Sequence, residues 1–213
     1  MDLATLLPIS WQFVHNYHRC KALVAAADER ADLGLAGAAL AGDLRRAAVV
    51  LAHATLEDFI RSLVEIRLPL AEARYLKTIP LLLGEDAARS TQYTLSDLVF
   101  YREQPVGEVI RRSVIAYLAG ITYNRVDQIA LALDQIGLSR SLLANDGKEL
   151  AAMMARRHHI AHRADRAEDK SGGEPMSRPI ESPTVTGWID AVFRFGDSVT
   201  TSLAASSTER GAG

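Results

Sequence analysis

The hydrophobic residues of the chain recur mostly at spacings of three and four positions, which is the period of an amphipathic α-helix. Alanine and leucine dominate and runs of β-branched residues are few, so the pattern predicts an all-α protein. The predicted helices cover 9–32, 40–68, 70–83, 94–101, 105–119, 123–136, about 146–165 and 184–204. Three polar groups are typical of helix starts: Thr94 with Asp97, Asn124 with Asp127, and Asp146 ahead of Glu149.

Breaks in this pattern suggest one domain over residues 1–205, and 213 residues that are 48% hydrophobic can bury one good core. The helices of about 85–138 follow a polar break, so we expect them to form an insert within a larger bundle. Residues 166–183 are rich in Gly, Pro, Ser and charge, which predicts a flexible loop. Residues 206–213 are predicted to be a disordered tail.

Composition narrows the class of protein. The net charge of −2 excludes the global basic excess of polybasic nucleic-acid binders, so any such contact must come from a local patch. The single cysteine, Cys20, excludes an intrachain disulfide framework and suits a reducing compartment. The N-terminus does not resemble a secretory signal, and no apolar stretch approaches the roughly 20 residues that span a bilayer. We therefore expect a cytoplasmic protein that does not bind membranes.

The helix predicted near 146–165 departs from its own hydrophobic pattern. A rotation of about 100° per residue places Arg157 within about 20° of the centre of the apolar face. An arginine there is costly unless a carboxylate, a phosphate or a wet cleft receives its charge, and such departures often mark functional sites. The alternative is structural: the apolar stripe ends here and Arg157 reaches past it to water, near a helix C-terminus that favours positive charge.

Three of the six histidines of the chain lie within residues 157–162. His158 and His162 are one turn apart and share one edge of the apolar face. The polar side chains predicted on the opposite face, toward solvent, are Arg156, His159 and Arg163. Residues 148–166 contain five Lys or Arg and two acids, so their local charge of +3 makes them the best phosphate-binding patch of the chain.

A metal site is the competing interpretation of these histidines. The spacing of His158 and His162 suits two ligands on one helix, but the zincin pattern needs Glu directly after the first histidine, where this chain has His159. No third ligand is evident, and flanking arginines would repel a cation. We therefore expect neither a metal nor another cofactor.

The segment RHHIAH, Arg157–His162, resembles the signature of the HEPN superfamily: an arginine, usually a polar residue next, and a histidine after four to six intervening residues. Residues 47–69 resemble the long early helix of bacterial stand-alone HEPN proteins of the RiboL-PSP-HEPN/MAE-like type, where an acidic pair precedes an aromatic, as Glu57-Asp58-Phe59 does here. Residues 93–138 resemble the inserted helices of those proteins. The resemblance covers about 40–165.

The resemblance implies an all-α, HEPN-like helical bundle with an inserted helical segment, and a homodimer in which the motif helices of two chains form a composite active site. Many such proteins are metal-independent endoribonucleases of toxin–antitoxin, phage-defence (antiviral) or RNA-processing systems. It therefore implies RNA as the substrate and an antitoxin or another regulatory protein as a partner. Some members are modified on a tyrosine two residues after the motif histidine. Ala164 occupies that position, so this regulation is not expected.

The resemblance also implies roles for single residues, and the residue types suit cleavage of RNA by its own 2′-hydroxyl. His162 can take or give a proton near neutral pH, and Arg157 can hold the scissile phosphate and stabilise its developing charge. His158 can orient the phosphate or assist proton transfer. Glu57 or Asp58 can orient Arg157 or His162. The side chains expected to bind the substrate are Arg156, His159 and Arg163.

Two other functions stay open at this point. A non-catalytic HEPN dimer would use the same helix to bind RNA, a nucleotide or a protein partner. No base-stacking aromatic residue lies near the motif, so the RNA preference is also open. A plain helical scaffold would tolerate replacement of Arg157 and His162 without loss of any activity.

Overall fold

Seven α-helices make up most of the residues that the structure, a computed structural model, describes: 3–83, 88–90, 94–167 and 177–210. This confirms the predicted helical class. The helices are α1 (Leu3–Ala31), α2 (Gly34–Arg67), α3 (Ala73–Leu76), α4 (Val106–Leu118), α5 (Val126–Gln135), α6 (Gly147–Arg163) and α7 (Ser182–Arg210). Short 3-10 turns cover Leu68–Leu70, Asp97–Tyr101 and Arg140–Leu143. Two antiparallel strands, β1 (Leu81–Leu83) and β2 (Ala88–Ser90), pair with Leu82 opposite Arg89.

Two predicted helices are wrong. The span 70–83 contains only the four-residue α3 and then β1. Pro80 lies inside that span and cannot continue a helix, because its nitrogen has no hydrogen to donate. The span 94–101 contains only a 3-10 turn, although its start signal forms: the Thr94 backbone N–H donates to the Asp97 carboxylate at 2.7 Å.

The other two start signals find different partners. Asp127 pairs with the neighbouring Arg125 rather than with Asn124. Asp146 precedes α6 but its side chain makes no capping hydrogen bond. Instead the buried Asp146 carboxylate accepts from the Arg194 guanidinium of α7 at 2.6 and 2.9 Å. This ion pair ties the first turn of α6 to α7.

The long helices extend beyond their predicted ends. The first begins at Leu3 and carries Pro8 within its early turns, where the missing N–H removes only one helical hydrogen bond. The last continues to Arg210, so the predicted tail at 206–213 begins inside α7. Residues 211–213 lie outside the described residues, as do residues 168–176 of the predicted loop.

Helix α2 is the centre of the fold and contacts α1, α4, α5, α6 and α7. It forms a hairpin with α1, and α7 packs across both helices. The Phe13 ring of α1 lies 4.5 Å from the Phe59 ring of α2 and 6.4 Å from the Phe193 ring of α7. A Cβ atom at Gly196 of α7 would overlap the Phe13 ring, so only glycine allows this close approach.

The helices of the predicted insert belong to the same hydrophobic core as α2. Val114 and Leu118 of α4, and Ile129 and Leu133 of α5, are almost fully buried in that core. The insert therefore supports α2 directly and brings the connection between α4 and α5 close to α6. Within the described residues, every helix lacks the combination of length and apolar character that a membrane crossing requires.

Candidate functional site

The C-terminal end of α6 carries the residues that the sequence singled out, and it ends in a tight reversal. Ala164 and Asp165 both adopt left-handed backbone conformations, with φ of +47° and +54°. Their backbone N–H groups both point back to the His159 carbonyl, as in the glycine-type caps that end many helices. The reversal turns the chain beneath the helix and buries the Asp165 side chain completely.

The buried Asp165 carboxylate anchors this reversal. It accepts a hydrogen bond from Arg46 Nε of α2 at 2.8 Å and another from Arg156 Nη2 of α6 at 2.7 Å. Both guanidinium groups also donate to the Arg178 carbonyl, at 2.7 and 3.0 Å, and Arg156 donates to the Pro179 carbonyl. One carboxylate and two arginines thus join α2, α6 and the segment that precedes α7.

The prediction that Arg156 projects toward solvent is therefore wrong. Its side chain is only 17% exposed, and its guanidinium bonds internal acceptors. The helical wheel placed Arg156 on the outer face correctly, but the chain after α6 returns and covers that face. Arg163 is exposed as predicted, whereas His159 is half-buried.

The motif residues themselves lie where the helical period placed them. His158 and His162 are both exposed, and their ring centroids are 4.6 Å apart on one edge of α6. Arg157 is half-buried between this edge and the core, and its Nε is buried without a hydrogen-bond partner. The two solvent-exposed imidazoles are therefore close in sequence to a guanidinium that is partly buried.

A cleft of about 600 Å³ opens beside these residues. Its walls come from α6 and from the connection between α4 and α5, and its lining residues are Asn124, Arg125, Ala151, Met154, Ala155, Arg157, His158 and His159. His162 follows His158 by one turn, toward the end of the helix. The cleft therefore combines an apolar floor with positive charge, which suits an anionic ligand that also has a flat, apolar part.

Arg61 of α2 holds the wall that the insert provides. Its guanidinium donates to the carbonyls of Leu118 and Ile121, the latter at 2.6 Å, and to the Glu57 carboxylate at 3.2 Å. It also lies 5.8 Å from the centre of the Tyr123 ring. Leu118 is the last residue of α4 and Ile121 lies in the connection to α5. Arg61 therefore fixes the start of this connection, whose later residues line the cleft.

Replacement of Arg61 by methionine is expected to loosen this wall. The two carbonyls would lose a charged donor, and a hydrogen bond to a charged group makes a net contribution of about 1.5–3 kcal/mol to stability. We expect about 2 kcal/mol lower unfolding free energy, measured in urea, and faster amide hydrogen exchange in residues 118–125. Arg111→Met is the control, because its exposed pair with Glu108 touches no backbone carbonyl and should change neither value. Unchanged exchange in Arg61→Met would contradict the anchoring role.

His53 is the site residue that the sequence analysis missed. It lies on α2, is only 1% exposed, and places Nδ1 3.9 Å from the Glu57 carboxylate. Burial lowers the pKa of His53, the Arg157 charge lowers it further, and Glu57 and the Tyr123 backbone oppose both. His53 is therefore neutral near pH 7. A single histidine in an apolar stripe suggests ordinary core packing, and its i,i+4 spacing to Glu57 was the available signal.

The two carboxylates proposed to orient the site differ. Glu57 is half-buried and contacts both Arg61 and His53. Asp58 is exposed and takes part in none of the contacts described above. Among the described residues, no group of three or more His, Cys, Asp and Glu side chains is arranged to hold a metal ion.

Comparisons of the chain with models of protein families, with curated proteins and with solved structures found no match.

Proposed function

We propose that this protein is a HEPN-type endoribonuclease that cleaves RNA without a metal ion at the Arg157–His162 end of α6. The observation that carries the proposal is a pair of exposed imidazoles, His158 and His162, whose ring centroids are 4.6 Å apart. His158 lines a cationic cleft together with Arg157, and His162 lies one helical turn beyond that lining. The Arg-x4-His spacing of the family signature supports the same assignment.

The reaction needs one base, one acid and one group that stabilises negative charge. The base removes the proton of a 2′-hydroxyl, whose oxygen attacks the adjacent phosphorus, and the P–O5′ bond breaks as the acid gives a proton to the leaving oxygen. The products are a 2′,3′-cyclic phosphate and a 5′-hydroxyl. His162 and His158 are the proton-transfer groups, since an imidazole ring can accept a proton at one step and donate one at another. Arg157 holds the phosphate and stabilises the charge that grows in the transition state.

The remaining cationic and polar groups supply binding. His159 and Arg125 line the cleft, and Arg163 is exposed on the next turn of α6, so RNA backbone along this surface would meet several donors. Arg156 contributes to the local positive charge, although its hydrogen bonds are internal. The reaction class and the family resemblance favour a toxin or phage-defence effector of the cytoplasm, controlled by an antitoxin or another regulatory protein.

A homodimer with a composite site is part of the proposal. The small residue Ala152 is exposed on α6 and is not among the residues that line the cleft, so a second copy of the helix can approach there without filling the cleft. We expect multi-angle light scattering at micromolar concentration to give twice the monomer mass of 23.2 kDa. An Ala152→Glu variant should shift the mass toward the monomer and lower cleavage together. A wild-type monomer that cleaves RNA at full rate would contradict the composite site.

The direct test is incubation of the purified protein with total RNA in EDTA, followed by analysis of the product ends. We expect cleavage that leaves 2′,3′-cyclic phosphate and 5′-hydroxyl ends. Cleavage only after a divalent metal is added back would contradict the metal-independent reaction. Tight RNA binding without cleavage would favour the second candidate, a non-catalytic HEPN dimer that binds RNA, a nucleotide or a protein. The cleft supports binding as well as it supports cleavage, because an anionic ligand can occupy it without contact to His162.

A further inference from the structure

Four buried side-chain nitrogen atoms on the packed helices α2 and α6 have no hydrogen-bond partner: Nε of Arg45, Nε of Arg156, Nε2 of His53 and Nε of Arg157. The last two belong to the candidate site. Their side chains are close enough for the charge of Arg157 to act on the His53 ring. Buried polar groups are nearly always paired, and one left unpaired costs about 1–3 kcal/mol. A hydrogen bond between two such atoms would remove that cost from both side chains.

The two atoms are chemically complementary. A neutral imidazole has one N–H donor and one bare nitrogen acceptor, whereas Arg157 Nε–H can only donate. The Glu57 carboxylate lies 3.9 Å from His53 Nδ1, which is beyond hydrogen-bond distance, but its negative charge favours a proton on that nitrogen. His53 Nε2 then carries the lone pair that the Arg157 Nε–H lacks in this structure.

We propose that His53 is a positioning residue: when an anionic phosphate occupies the cleft, Nε2 of neutral His53 accepts a hydrogen bond from Arg157 Nε–H. This contact leaves both Nη groups of Arg157 directed at the phosphate. Glu57 holds the far side of the ring, and Arg61 holds Glu57 at 3.2 Å. The chain Arg61–Glu57–His53–Arg157 thus connects the wall of the insert to the phosphate-binding guanidinium.

The proposal rests on the proposed function only for its kinetic part. Since His53 is almost completely buried, it does not touch substrate, and its effect passes through Arg157. A guanidinium whose position varies by about an ångström binds the transition state less well, and displacements of this size can slow a reaction about 100-fold. The main effect is therefore expected in kcat, with a smaller change in KM.

The spectroscopic test does not depend on cleavage. Nitrogen-15 spectra of the intact wild type should show His53 as the Nδ1–H tautomer. Addition of an RNA analogue in which every sugar is 2′-deoxy, and which therefore cannot be cleaved, should shift the Arg157 Nε–H signal and slow its exchange. Arg157→Ala should raise the His53 pKa, because the charge that lowers it is removed, whereas Arg157→Lys keeps a positive charge there and should raise it less. A proton on His53 Nε2, or an unchanged Arg157 signal with bound analogue, would overturn the proposal.

The kinetic test uses paired variants of His53. His53→Leu removes the acceptor and is expected to lower kcat about 10- to 100-fold, while His53→Gln keeps an acceptor oxygen and should recover most of the loss. Thr55→Val is the control, because this buried residue of the same helix faces Cys20 on α1 and should keep wild-type rates. Equal rates for leucine and wild type would overturn the positioning role.

The two tests separate the two proposals. The expected spectra in a protein that never cleaves RNA would support His53 and reject the ribonuclease. Cleavage with the expected products, but no tautomer preference and no response to the analogue, would reject His53 alone.

Discussion

Arg157→Ala and His162→Ala are each expected to lower the rate of RNA cleavage by about 10²- to 10⁴-fold, which is the usual effect of removing a proton-transfer group or a donor to the developing charge. The neighbouring Arg156 cannot take over the role of Arg157, because its guanidinium is held by Asp165 and by the carbonyls of Arg178 and Pro179. The measurement is the initial rate on total RNA in EDTA, with the product ends identified in each reaction.

Arg157→Lys separates charge from shape in the same assay. Lysine keeps the positive charge but cannot hold a phosphate with a planar fork, so we expect a rate between those of wild type and alanine. His158→Ala should cause a smaller loss than His162→Ala. When His158→Ala and His162→Ala are combined, their effects on the rate should be far from additive, because the two rings act on one reaction.

The controls are residues of the same types that lie elsewhere. His15 is exposed on α1, and Arg111 is exposed on α4 in a pair with Glu108, so alanine at either position should leave the rate unchanged. Equal cleavage by wild type, Arg157→Ala and His162→Ala would place the activity at another site or in a contaminant. A wild type that binds RNA but does not cleave it would support the binding function.

Asp165→Ala is expected to lower the free energy of unfolding by about 3–5 kcal/mol, because it leaves two largely buried arginines without their shared carboxylate. Arg46 and Arg156 are only 14% and 17% exposed, and Asp165 is fully buried, so water can replace little of the lost interaction. The measurement is urea denaturation of both proteins at one pH and salt concentration. Asp165→Asn should lose less, because its amide oxygen still accepts a hydrogen bond.

Asp43→Ala is the matched control, since Asp43 also pairs with Arg46, at 3.3 Å, but is 76% exposed. Exposed ion pairs contribute less than about 1 kcal/mol, so this change should be small. An Asp165→Ala loss no larger than that of Asp43→Ala would show that the buried ion pairs do not anchor the end of α6. The left-handed backbone at Asp165 makes Asp165→Gly informative, because glycine relieves the conformation without restoring the charge.

The candidate site was predictable as far as it lies on one helix. Once residues 147–163 form a helix, the rotation per residue alone puts His158 and His162 on one edge and Arg157 in the apolar stripe. The partners of these residues were not predictable, because they come from distant parts of the chain. His53 lies more than 100 positions before Arg157, and only the packing of α2 against α6 brings the two side chains together.

The exposure of Arg156 could not be predicted from its helix alone either. Its position on the outer face of α6 predicted contact with water, but the chain reverses at Ala164 and Asp165 and covers that face. No glycine marks this reversal in the sequence, since the left-handed positions are alanine and aspartate. The buried carboxylate, with its two arginines, stabilises a backbone conformation that local preferences disfavour.

The sequence by itself determined the helical class, the long helices and the shared edge of His158 and His162, because these depend on a hydrophobic period that local geometry converts directly into faces. The sequence also contained the reason why no continuous helix forms over 70–83, namely Pro80. Only the tertiary structure decided that Arg156 is internal, that Arg61 holds the wall of the cleft, and that His53 of α2 is near enough to Arg157 to feel its charge. Those contacts join residues far apart in the chain, and their formation depends on which helices pack together rather than on any local pattern.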